Sequence, residues 1–110
     1  MKTIDGRKMK ELVEKKHANV IDIDTVSDFK KNHIKGSTCI PHSEEEFLYK
    51  VQRKFSEKDK EIVLCAWRKL EPKIKKRGKE LENAGYKNVY QYNASPADWK
   101  NANLSIQSQV

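Results

Sequence analysis

Residues 61–86 read EIVLCAWRKLEPKIKKRGKELENAGY, and the fold turns on this stretch. Ile62, Val63 and Leu64 form a continuous apolar run of the kind buried on both faces of a parallel sheet. Cys65 and Ala66 follow where that strand should end, and a basic loop leads into a helix from about Lys73 to Ala84. Gly85 can take the left-handed conformation that stops such a helix, with Tyr86 packing back. Cys65 is therefore expected at a strand's carboxyl end, the edge of an open α/β sheet at which ligands bind. The next helix turns its free N–H groups and the positive end of its dipole toward the same spot, which favours a thiolate there.

Outward from this stretch, strands alternate with helices. Thr3 and Ile4 form a minimal strand, and a helix from Asp5 or Gly6 to about Lys16 carries Met9, Leu12 and Val13 on one face. Val20–Ile23 reads as a strand, Ser27 as the cap of a short turn holding Phe29, and Thr38–Ile40 as another strand after a turn at 33–36. Ser43 and Glu46 have capping-box spacing for a helix bearing Phe47, Leu48, Val51 and Phe55. Asn88–Tyr92 makes a further strand, and Ser95, Pro96 and Asp98 open a last helix with Trp99. The pattern predicts one α/β domain over residues 1–110: a small parallel sheet of about four to five strands with helices on both faces, and a polar tail from about 105 that frays.

The 110 residues suffice for one core and no second domain. No apolar run approaches the ~20 residues that span a bilayer, and MKTIDGRKMK lacks the hydrophobic segment of a secretion signal. A cytoplasmic location, no membrane contact and two free thiols, Cys39 and Cys65, are the expectation. The net charge of +7 is spread over helices as Lys and Glu interleaved, a pattern of solvated faces that argues against nucleic acid. Residues 68–79 differ, with seven basic residues against the single acid Glu71.

The blocks NVIDID, DFKKNHIKGSTCIP, EIVLCA, LENAGYKNVYQY and ADWKNANL, in this order and spacing, resemble the single-domain rhodanese-like sulfurtransferases from about Thr3 to Ile106. The resemblance implies the rhodanese fold and a cysteine that takes the outer sulfur of thiosulfate or another sulfane donor. The resulting persulfide passes its sulfur to cyanide or a thiol. On this reading Cys65 is the nucleophile, Ala66, Trp67, Arg68, Lys69, Leu70 and Lys73 bind substrate, and Asp22 and His33 support the site. No cofactor or metal is implied. The partners are a small anionic sulfur donor or a sulfur-carrier protein, and the chain is a monomer or a weak homodimer.

Two registers remain open on the family pattern. Cys65 matches members in which alanine follows the cysteine, whereas after a longer strand the nucleophile's place falls on Ala66, and a one-residue slip turns a side chain to the opposite face. The loop WRKLEPK lacks glycine and contains Pro72, Asp24 stands where the family carries arginine, and Ala94-Ser95 replace a pair of glycines. The alternative function is a catalytically inactive module that binds an acidic partner protein through the basic 68–79 segment.

Overall fold

The computed structural model describes residues 1–109. Five parallel strands lie in the order β1 (Lys2–Thr3), β6 (Val89–Tyr92), β5 (Ile62–Cys65), β2 (Asn19–Asp22) and β4 (Thr38–Cys39). The sequence-based α/β expectation of four to five parallel strands under helices on both faces describes this sheet. β5 sits at its centre, so both of its faces are covered. Ile62 and Leu64, with Ala66 just beyond, pack with Phe47 and Val51 of α3 (Phe47–Lys54) and Ile74 and Leu81 of α4 (Glu71–Asn83). Val63 and Cys65 point the other way, toward Met9 and Leu12 of α1 (Gly6–Glu14) and Trp99 of α5 (Pro96–Asn101).

Local chemistry sets the helix starts. Asp5 caps α1 by accepting from the Lys8 N–H at 2.9 Å, and Ser95 and Asp98 form a reciprocal capping box on α5. Pro72 falls in the first turn of α4, where its missing N–H costs little.

Three expectations need correction. Thr25, not Ser27, caps α2 (Val26–Lys31), since its hydroxyl receives the Asp28 N–H. Ser43 caps nothing: residues 41–47 make successive tight turns, and α3 starts only at Phe47 with no side-chain cap. Residues 105–109 are tied to the rest of the domain rather than loose. β7 (Ile106–Gln107) pairs antiparallel with β3 (His33–Ile34), flanked by Lys35 N–H to Ser105 O at 2.8 Å and Gln109 N–H to Lys30 O at 2.7 Å. Ile106 is the apolar residue that makes this docking favourable. Val110 lies outside the described residues, and among those described no helix is long and apolar enough to cross a membrane.

α1 and α5 approach so closely that a Cβ on Gly6 would stand 2.7 Å from the Ala102 Cβ. Gly6→Ala should therefore cost about 1–3 kcal/mol through overpacking, read as a lowered denaturation midpoint with an unchanged m-value.

Candidate functional site

A cleft of about 570 Å³ opens at the carboxyl edge of the sheet. One wall is the loop after β5, with Ala66, Trp67, Arg68, Lys69 and Leu70; the other is the β6–α5 connection, with Asn93, Ala94 and Ser95, together with Asp98 in the first turn of α5. Five of the residues expected to bind substrate thus lie together. Lys73 does not line the cleft, because at the start of α4 it is Ile74 that turns inward while Lys73 faces solvent. The second wall was not foreseen. The Ser-x-x-Asp cap at its helix start is visible in the sequence, but not the adjacency of β6 and β5 that brings it to the loop.

Cys65 is absent from the cleft lining. It is 0% exposed, packed with Met9, Val63, Tyr92 and Trp99 on the opposite face of the sheet, and Ala66 takes the position at the cleft. The cause is the strand period of two, which sends Cys65 to the side away from Leu64 and Ala66. Burial, then the acidic Asp22 and Asp24, push the Cys65 thiol well above its ordinary range. A thiolate nucleophile at Cys65 does not fit this geometry; the residue behaves as a small apolar core group.

Two of the loop's N–H donors, those of Trp67 and Arg68, are also engaged. The buried Asp24 carboxylate accepts from the Trp67 N–H through Oδ2 at 2.5 Å and from the Arg68 N–H through Oδ1 at 3.2 Å. These are donors of the kind that would otherwise converge on an external anion, and an internal anion now satisfies them. The Asp24 N–H in turn donates to Asp22 Oδ1 at 2.9 Å, so the end of β2 and the loop after β5 form one hydrogen-bonded unit.

The cleft carries charges of both signs. The Arg68 guanidinium lies 2.8 Å from Asp28 and holds that carboxyl below its usual range. Lys69 shares the lining with Glu71 and Asp98. Arg77 leaves the surface: its guanidinium donates to the His42 and Glu44 carbonyls at 2.6–2.9 Å and to Glu80. Apart from Lys69, the unpaired positive charge of this segment sits on the outer face of α4.

The supporting residues are structural in their contacts. His33 is buried, with Nδ1 2.8 Å from the Phe29 carbonyl and its ring stacked on Phe29 at 3.9 Å. Cys39 is half-buried, and burial with Asp22, Asp24 and Glu44 pushes its thiol up to about 11. No three His, Cys, Asp or Glu side chains gather as a metal-binding group among the described residues. Asp22 is fully buried, and desolvation first, then Asp24, push its carboxyl up to about 9. The folded chain therefore keeps this proton in a range where the unfolded chain has released it, and stability falls as pH rises from the ordinary carboxylate range toward 9. Asp22→Asn, whose amide oxygen can still accept the Asp24 N–H, should flatten this dependence. In urea unfolding between about pH 5 and 8, the variant should gain on the parent as pH rises, by at most about 1.4 kcal/mol per pH unit.

A family model described as the rhodanese-like domain matches residues 6–102. No curated protein matches the sequence. Among solved structures, the Alr3790 protein from Anabaena sp. superposes with a TM-score of 0.81 at 18% identity, over 97% of this chain and 93% of that one. A thiosulfate sulfurtransferase from Pseudomonas aeruginosa gives 0.82 at 14% identity, with 100% of this chain covering 20% of the other. A variant of EanB, in complex with ergothioneine covalently linked with a cysteine persulfide, gives 0.78 at 20% identity, over 97% of this chain and 28% of that one. At these identities the likeness to the solved structures is one of fold. With its sheet order, its strand-end cleft and the family match across nearly its whole length, the chain belongs to the rhodanese-like domain family.

Proposed function

We propose that this chain is a catalytically inactive rhodanese-like module that binds an acidic partner protein through the basic 68–79 segment. The observation that carries the reading is the exchange at the strand end: Ala66 borders the cleft, and Cys65 is buried on the far side of the sheet. Alanine offers no atom that can hold a sulfane sulfur. The loop that would cradle a persulfide anion has the N–H groups of Trp67 and Arg68 turned to the Asp24 carboxylate, which also repels an incoming thiosulfate. The free state of both thiols suits a reducing compartment such as the cytoplasm.

Membership in a sulfur-transfer family favours a second reading. In it Cys65 carries sulfane sulfur from thiosulfate or a persulfide donor to a thiol or cyanide acceptor. That reaction would require the end of β5 to rotate Cys65 out of its core and Asp24 to release the loop. Incubation with thiosulfate, followed by addition of cyanide, separates the two readings. The module should show no mass gain of one sulfur and no thiocyanate formation above that of Cys65→Ser; a sulfur adduct on the parent that Cys65→Ser lacks would sink the proposal. Ala66→Cys places a thiol at the cleft, and it should be alkylated on the order of tenfold or more faster than Cys65 in the native parent.

A further inference from the structure

The cations of residues 68–79 are not equivalent. Arg68 is paired with Asp28, Arg77 is turned inward and Lys69 lines the cleft beside Glu71 and Asp98, whereas Lys73, Lys75, Lys76 and Lys79 are exposed along α4. Among the described residues none of these four lysines has a carboxylate within 4.0 Å. Elsewhere lysines do find partners: Lys8 with Glu11, Lys10 with Glu14, Lys50 with Glu44 and Lys87 with Asp59. Lys75 and Lys79 stand at i, i+4 and Lys76 and Lys79 at i, i+3, spacings at which like charges weaken a helix. An acidic ligand would relieve that repulsion.

Beside this ridge runs a groove of about 420 Å³ between α3 and α4. Lys76 and Lys79 form its rim, and Leu48 of α3 and Ala84 at the end of α4 supply apolar floor. Glu80 also borders the groove, but its carboxylate is held 3.1–3.2 Å from the Arg77 guanidinium and is thereby neutralised. Tyr49, which follows Leu48 on α3, is 55% exposed and, among the described residues, one of the two large exposed hydrophobic residues. A cationic rim over an apolar floor is complementary to an acidic chain that carries aliphatic side chains. A phosphate backbone would find no use for that floor, and the guanidinium best suited to a phosphate fork, Arg77, is occupied with main-chain carbonyls.

Building on the acidic-partner reading above, we infer that the partner is engaged in the groove between α3 and α4, away from the strand-end cleft, and presents an acidic segment with an aliphatic anchor for the Leu48–Ala84 floor. The probes are a short synthetic Glu-rich peptide containing leucines, the same peptide with serines in their place, and a short DNA duplex, each titrated into the isotope-labelled full chain. Amide shifts should concentrate at Leu48, Lys76, Lys79 and Ala84, and affinity should fall as salt rises. The leucine-free peptide and the Lys76→Gln/Lys79→Gln chain should each bind about tenfold or more weakly, with Lys76→Glu/Lys79→Glu weaker still. Shifts confined to residues 66–70 and 92–95, or to Pro72, Lys75 and Glu82 on the opposite flank of α4, overturn the inference while leaving an acidic partner in place. Equal binding of the two peptides does the same. Preference for the duplex, or no binding of either peptide, removes both the inference and the reading beneath it.

Discussion

The direction of alternate side chains along β5 governs everything at the site. β5 is hydrogen-bonded to β2 and β6 on either side, with Asp22 opposite Cys65 and Cys65 opposite Tyr92, and its register is fixed by both neighbours. Ile62 and Leu64 must meet α3 and α4, so Val63 and Cys65 must meet α1 and α5. Moving Cys65 toward the cleft by one residue would turn every one of these side chains to the wrong core. Burial of apolar surface outweighs any local preference of the thiol for water, since each such residue contributes about 1.5–3 kcal/mol when buried.

Asp24 completes what that register begins. A carboxylate at the end of β2 reaches the loop after β5 and takes the N–H groups of Trp67 and Arg68. The domain keeps the loop's shape with an anion supplied by its own chain. Arg68, drawn to Asp28, adds a second tie from the same loop to α2. The cleft that results has Ala66, Trp67, Leu70 and Ile74 for apolar lining and charges of both signs, a surface with little attraction for a small anion. Four of the exposed cations lie along α4 and do not line the cleft, where Lys69 alone of the segment's lysines is found, so the basic run in the linear sequence is divided between two surfaces.

The fold was legible because its signals are local. The apolar run at Ile62–Leu64, the Met9–Leu12 spacing, the Ser95–Asp98 cap and Gly85, which adopts φ 98°, each act within a few residues. The site was legible only in part. Ala66–Leu70 belong to one loop, so their company at the cleft could be read from the chain itself, and Asp24 was marked as out of place among expected cations. That its carboxylate would reach residues 67 and 68 depends on β2 lying beside β5, a tertiary fact. The same holds for Asn93–Ser95 in the opposite wall and for Arg77, whose burial under the 42–44 turn is invisible in a run of basic letters. β7 escaped notice because a two-residue strand carries too little periodicity to register, and only its partner β3 gives it meaning.

The pairing of residues 33–34 with 106–107, together with that of Lys2–Thr3 beside Tyr90–Gln91, joins segments some seventy to ninety positions apart. Such closures demand a large loss of chain entropy before any contact rewards it, which slows the search for the native topology. During synthesis the central strands can align early, yet the antiparallel ladder must wait until residues 106–107 have emerged. Closure of this domain is accordingly a late event at its periphery, with the middle of the sheet acting as the template onto which the outer pairings are finally stitched.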